Sequence, residues 1–377
     1  MSKITTITNN ISKLKQGAFI FKQILLHSIL VWSLLPSGLH AQRECGTPTP
    51  AVRRFFSPEE LQRSRMTDPY KLKILVHVFA DNNGSNRAAT DSMIMVQLEN
   101  MQEFFEPHDI CFQVTGIRQI NNTDLNHHDV DEENELFPFL VPDVIDLFIH
   151  ETLNDGNETL NGVAYHIPNT YFSVVGNAIM SADNRSTTAH EMGHCLGLLH
   201  TFAGGDENVA RSGGCANCTL AGDGLCDTEA DPHSDDYNTE NVIDTLCNYF
   251  GMATDACNAE YNMDPHNVMA YGRRPCRDVL TNGQGAVMRM TIGLESSLTD
   301  CLTPQNVLFS PVTNTVLTQG YYAYTAFQTI TVQGVLYELS GNAGGYFGSP
   351  STTVLPNVRF APNTGTVVIS AYNVLCD

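Results

Sequence analysis

Between Thr188 and His200 the chain reads TAHEMGHCLGLLH, and few backbone arrangements satisfy that segment. On a helix His190 and His194, four residues apart, project from one face one turn apart. Two imidazoles at that spacing can reach a single zinc ion at ~2.0–2.1 Å. Glu191 follows the first imidazole, where its carboxylate can reach a water held by the metal without itself being a ligand. Zinc lowers the pKa of such a water toward ~7, so Glu191 can take its proton and later deliver it to a leaving amine. Gly197 stands three residues beyond His194, and glycine accepts the left-handed conformation that ends a helix. The chain can then turn and return His200 as a third ligand. Three protein ligands plus a water make an open, catalytic zinc site, whereas a structural site is closed by four. HExxH alone arises by chance; the longer form, with three His, one Glu and one Gly at set positions, is not expected to.

Length and composition place this segment in an exported protein. The 377 residues allow one large domain or two modest ones. Residues 1–22 carry Lys3, Lys13, Lys15 and Lys22 and no acid; an apolar run follows from Ile24 to Leu35, broken by Pro36, Ser37 and Gly38, with Ala41 at a cleavage position. That is the order of a secretory signal peptide over 1–41. The run is shorter than the ~20 apolar residues of a membrane span, so a secreted, extracellular or cell-surface protein is expected, with no membrane span. The net charge of −21 becomes −25 when the four lysines leave with the signal. Such a chain repels nucleic acid and anionic membranes and has carboxylates to offer calcium. All eleven cysteines follow the signal, and in an exported chain many should pair as disulfides. Eleven is odd, so at least one is free or does something else.

The coarse pattern predicts an α+β protein. Residues 42–69 show no strand pattern and read as a pro-segment or linker. Strands are expected at Lys71–Phe79, Ile110–Ile117, Val144–Ile149 and Gly162–Ile167, with helices at Thr90–Phe105, Thr187–Leu199 and Asp278–Met290. The Gly162-Val-Ala-Tyr edge could hold an extended peptide by β-addition. Residues 202–265, rich in Gly, Asp, Asn and Cys, read as an irregular region stapled by disulfides or metal. A catalytic domain is thus expected over 70–301, with a twisted mixed sheet, a backing helix, the metal helix and an irregular lower subdomain. From 302 to 377, short alternating runs predict a small all-β module.

The HEMGHCLGLLH segment resembles that of the metzincin zinc peptidases. Asn267-Val-Met269-Ala-Tyr271 fits their Met-turn. The stretch from Gly222 to Pro232, and Cys276 with Gln284 and Met288, narrow the resemblance to the pappalysin group over residues 43–301, especially its secreted bacterial members. The resemblance implies a zinc endopeptidase acting on protein or peptide substrates. It implies Met269 as the apolar floor under the zinc. Tyr271 would be an oxyanion donor, or else a packed aromatic. Asp223, Asp227 and Thr228 match a calcium-binding stretch of some relatives, or else form an Asp-Gly turn. Cys45 resembles the pro-segment cysteine of latent relatives, whose thiolate would take the fourth zinc position until the segment is cut. Setting Cys45 aside leaves an even ten, although Cys195, inside the zinc helix, also reads as a small unpaired hydrophobe. Cys215, Cys218 and Cys226 could suggest a second zinc site, but disulfides suit an exported chain better. One stretch departs from the family: where relatives that cleave before Arg or Lys carry an acid after the Met-turn, this chain has Gly272-Arg273-Arg274-Pro275. A preference for acidic or neutral P1′ residues is expected instead. A zinc amidase, and an adhesion or binding protein with a vestigial peptidase domain, are the competing readings; the intact Glu191 and three His argue against the second. The C-terminal module vaguely resembles stacked-β modules of secreted bacterial proteins, with a binding, anchoring or structural role open. Oligomeric state is not legible.

Overall fold

The structure, a computed structural model, describes residues 43–370 except 65–67, 157, 205–207, 235–237, 305, 310–313, 327–328, 334–335, 350, 356–357 and 364–366. The expected signal peptide over 1–41, and Cys376, lie outside the described residues.

The α+β expectation holds. The central sheet contains β1 (Arg43–Cys45), β2 (Tyr70–Ala80), β3 (Ile110–Asn121), β4 (His127–Asp129), β5 (Ile145–His150), β6 (Thr152–Asp155), β7 (Glu158–Val163) and β8 (Tyr171–Val175). Its order is β3-β2-β5-β8-β7-β6-β4, with β1 added on β7. The β3-β2-β5-β8 part is parallel; β7 is antiparallel to both β8 and β6. Alternation along β2 explains the two cores. Leu72, Ile74, Val76 and Val78 face a helix, and Phe79 faces the other side with Phe148, Leu160 and Tyr171.

That backing helix is α2 (Asp91–Phe105), capped by the Thr90 hydroxyl, which accepts from the Met93 amide; α1 (Pro58–Ser64) precedes it in the chain. Ile94, Leu98, Met101 and Phe105 form its buried stripe and contribute about 1.5–3 kcal/mol each by burial. The metal-motif helix, α3 (Thr187–Cys195), is buried along its whole length in the same core. It ends four residues earlier than expected, because Gly197 takes φ +95° and the chain leaves the helix there. The last long helix, α4 (Asn282–Leu294), starts later than expected. Its start is set by a capping box in which Thr281 and Gln284 bond each other's backbone amides. The short α5 (Ser296–Asp300) follows.

Three strand expectations are corrected. Arg43–Cys45 is a strand despite its sequence, because its backbone pairs in parallel with β7. The rim strand runs over Glu158–Val163 instead of Gly162–Ile167. The short runs Thr152–Asp155 and Tyr171–Val175 are strands that the pattern did not announce. Residues 202–265 are irregular, as expected, and are stapled by Cys215–Cys257, Cys218–Cys226 and, reaching beyond the region, Cys247–Cys276. Cys45, Cys195 and Cys301 are free and buried.

The C-terminal residues form an all-β coil of parallel strands. β9 (Asn306–Phe309), β12 (Thr329–Val332) and β15 (Ser351–Val354) make one sheet. β10 (Thr315–Leu317), β13 (Tyr337–Gly341) and β16 (Val358–Pro362) make a second, and β11 (Tyr321–Thr325), β14 (Gly344–Gly348) and β17 (Val367–Ser370) a third. Every third strand therefore stacks on its predecessor. The coil meets the central sheet at a bulge in β3, where the pairing with β2 slips between Ile74 and Leu75. There the Tyr321 hydroxyl donates to the Thr115 carbonyl at 3.0 Å, and Arg118 lies 5.0 Å over the Tyr321 ring.

Candidate active site

α3 is started by Asn184, whose Oδ1 accepts from both the amide and the hydroxyl of Thr187. One turn separates His190 from His194, and the left-handed Gly197 returns the chain so that His200 faces both. The three Nε2 atoms lie 3.1 Å from one another. Each orienting contact comes from the backbone: His190 Nδ1 donates to the Val268 carbonyl at 2.7 Å and His194 Nδ1 to the Leu198 carbonyl at 2.8 Å. With hydrogens committed to those carbonyls, the Nε2 lone pairs point inward. Burial holds all three imidazoles neutral: His194 is lowered to about 4, and His190 and His200 lie well below the usual value.

Lone pairs converging so closely need a cation. A tetrahedral zinc with Zn–N bonds of ~2.0–2.1 Å spaces its nitrogens about 3.3 Å apart, so the donor set fits. Cys45 joins the group, its Sγ 3.7 Å from His194 Nε2, and the four candidate ligand atoms lie within 4.8 Å of one another. This is the one such grouping of His, Cys, Asp and Glu among the described residues. Burial, then the Glu191 charge, push the Cys45 thiol up, so a thiolate there calls for the same cation.

Glu191 is fully buried beneath β7. Its Oε2 accepts from the Thr47 hydroxyl at 2.9 Å and lies 3.4 Å from Cys45 Sγ. Gly162 makes this possible: a Cβ there would stand 2.7 Å from the Glu191 side chain. The segment from Arg43 to Thr47 thus lies along the rim strand, with Cys45 opposite Gly162, the Gly46 amide bonded to the Gly162 carbonyl, and the Ala164 amide to the Thr47 hydroxyl.

Met269 is fully buried, with its sulfur packed against Gly193 of α3. The turn is fastened by Asn267, whose Oδ1 accepts from the Met269 amide and whose amide group exchanges hydrogen bonds with Gln284 of α4. The Tyr271 ring lies 5.1 Å from that of His200, and its hydroxyl donates to the Cys45 carbonyl at 3.2 Å. The phenol therefore faces the metal-ligand cluster and the chain lying in the cleft.

Sequence reasoning missed the parts played by Thr47 and Asp231. Asp231 is buried and accepts from the Thr201 hydroxyl, the His233 amide and the Tyr271 amide, so one carboxylate joins the loop after His200 to the turn carrying Tyr271. The only hint was its place in the Gly222–Pro232 stretch. Asp223, Asp227 and Thr228 are neighbours held by different contacts. Asp223 accepts from the Thr228 hydroxyl at 2.7 Å and from the Leu225 amide. Asp227 turns to the start of α4, accepting from the Gly283 amide and the Thr281 hydroxyl. Arg277, which was not singled out, is buried, donates to the Gly272 carbonyl and lies 5.9 Å over the Tyr271 ring. Cys195 points its sulfur at the Tyr171 carbonyl and is a packed thiol.

Burial raises Asp231 from 3.8 to about 6. A carboxyl raised on folding binds its proton more tightly in the native state. Stability therefore falls as pH rises from about 4 through 6, by on the order of 3 kcal/mol. Asp231→Asn should flatten that part of the profile. Urea denaturation at pH 4.5, 5.5 and 7 tests this; equal pH slopes for wild type and variant would refute it.

The chain is similar to several known proteins. The family model of pregnancy-associated plasma protein-A peptidases matches residues 142–295. An extracellular metalloprotease of Verticillium alfalfae is 25% identical over 303 residues, covering 70% of this chain and 96% of the relative. One of Colletotrichum graminicola is 25% identical over 287 residues, covering 70% and 94%. Among solved structures, a mutant of Tannerella forsythia promirolysin overlaps 64% of this chain and 87% of its own, with 18% identity and a TM-score of 0.45. Among the described residues no helix is long and apolar enough to cross a membrane. The matched segment contains α3, His200 and the Met269 turn, and over it the chain is similar to the pappalysin metallopeptidases.

Proposed function

We propose that the protein is a secreted zinc endopeptidase made in a latent form, with His190, His194 and His200 as zinc ligands and Glu191 as general base. The observation that carries this is the joint arrangement of the three Nε2 atoms, Cys45 and Glu191 around one point. Zinc, when bound, supplies a Lewis acid that polarises the scissile carbonyl and acidifies water. The remaining chemistry belongs to the chain. The edge of β7 pairs with the substrate backbone in place of Arg43–Cys45. Glu191, released from Thr47, accepts a proton from the attacking water and passes it to the leaving amine. The Tyr271 hydroxyl, released from the Cys45 carbonyl, donates to the oxyanion of the tetrahedral intermediate. Latency follows from the same contacts: Cys45 takes the fourth ligand position and Thr47 occupies the base. Glu191→Ala in a processed enzyme should lower kcat/KM by about 10³-fold or more, in line with loss of a general base and the water it orients, while one zinc per chain stays bound. Residual activity within tenfold of wild type would dismiss Glu191 as the base.

Specificity and calcium complete the reading. Arg273 and Arg274 follow Tyr271, and the buried Arg277 adds a third cation behind its ring. A positive environment disfavours Arg or Lys at P1′ and favours acidic or neutral side chains. Cleavage of a peptide library should show that order; a dominant P1′ Arg would contradict it. Calcium, proposed at Asp223 and Thr228 with Asp227 adjacent, is supported by Asp223, whose carboxyl burial pushes up to about 7. A cation would hold it ionised. Calcium should then raise Tm at pH 7.5 in wild type and not in Asp223→Asn; no shift in wild type removes calcium from the account.

A further inference from the structure

Residues 43–64 divide into two parts held for different purposes. The first part, up to Thr47, touches the metal-ligand cluster, the rim strand and Glu191, through the contacts described above. The second part, from Arg53 on, is held by other contacts. Arg53 donates to the Gly222 carbonyl at 2.8 Å, and the Phe55 ring lies against Gly224. Arg54 pairs with Glu295 at 3.3 Å. Phe56 and Leu61 pack against the main hydrophobic core, and Arg54, Phe55 and Phe56 line cavities together with Gly197, Leu198 and Leu199. These residues brace the turn that returns His200 to the site.

Between the two parts the chain is exposed. Pro48 is followed by exposed Thr49, and Ala51 and Val52 form a bend in which Val52 is 87% accessible. Prolines at 48 and 50 make the bonds before them poor sites for most endopeptidases, since a proline nitrogen cannot donate to the rim strand of a protease. The Ala51–Val52 and Val52–Arg53 bonds carry no such block.

We propose that this bend is the processing site. Hydrolysis of one peptide bond between Ala51 and Arg53, with water as co-reactant, yields a new carboxylate on the leaving segment and a new amine on the enzyme. The upstream segment departs; residues from Arg53 onward stay as a permanent clamp of the mature enzyme. While tethered, Cys45 competes for its position at an effective concentration set by the short tether, on the order of millimolar; once cut, it is diluted and the three-residue strand β1 and Thr47 hold it weakly. The proposal rests on the latency reading above.

The test uses the full zinc-loaded chain with the recognition sequence of a site-specific endopeptidase inserted between Ala51 and Val52. Cutting should release the upstream fragment, seen by intact mass, and raise kcat/KM about 10²-fold or more. Wild-type protein that has matured unaided should show an N-terminus at Val52 or Arg53. Phe56→Ala should lower the Tm of the processed form by roughly 5 °C or more. A mature N-terminus at Arg54 or later, or a processed form whose Tm ignores Phe56→Ala, overturns the proposal. Uncut Cys45→Ala separates the two readings. If it is active while cutting at the insert releases the fragment without activity, the processing site is wrong and latency stands. If it is as silent as wild type, while cut wild type is active, the cysteine lock is what fails.

Discussion

Three imidazole nitrogens brought within 3.1 Å of one another would repel through their lone pairs and turn away if nothing held them. What holds them is backbone: the Val268 and Leu198 carbonyls take the opposite ring hydrogens of His190 and His194. Those carbonyls are useful only if they stay in place. Leu198 is placed by the left-handed Gly197, and Val268 by the Asn267–Gln284 pair that ties the Met269 turn to α4. The capping box of α4, the buried Met269 and the core around α3 therefore all serve the direction of two N–H bonds.

Glu191 shows how tightly the same region is filled. A carboxylate with no exposure is costly unless its oxygens are bonded. Its donor here is Thr47, a residue of the segment that occupies the cleft. The contact that satisfies Glu191 is thus also one that anchors the segment from Arg43 to Thr47. The Tyr271 hydroxyl follows this pattern, donating to the Cys45 carbonyl where a substrate would lie. A chain segment running parallel to the rim strand thus engages each group assigned to the chemistry.

Much of the site was legible because it is local. The HEMGHCLGLLH spacing states which rings share a helical face and where the helix must end, and the αL Gly197 is where that spacing required it. The Asn267–Tyr271 turn was legible by resemblance alone, since nothing in five residues says that they lie beneath a helix some 75 positions earlier. Thr47 and Asp231 were not legible, because a hydroxyl or carboxylate in a polar loop looks alike whether it is solvated or buried against a partner. Arg43–Cys45 lacks any strand pattern, and only its pairing with β7 makes it a strand. The C-terminal alternation announced β structure but not its parallel stacking, as alternation marks a strand's faces and not its neighbours.

By itself, then, the sequence determined the local chemistry: three imidazoles and a carboxylate on one helix and its return turn, an α+β body, an irregular disulfide-stapled region and a β-rich tail. These follow from periodicity, glycine conformation and residue type, which act over a few positions. Only the tertiary structure decided what surrounds that chemistry. Long-range backbone pairing put Cys45 and Thr47 beside the three imidazoles and Glu191, burial set which groups are neutral, and packing seated Phe56 and Leu61 of the segment before β2 against the main core. Those outcomes depend on residues over a hundred positions apart meeting at a few ångströms, which no short window of sequence specifies.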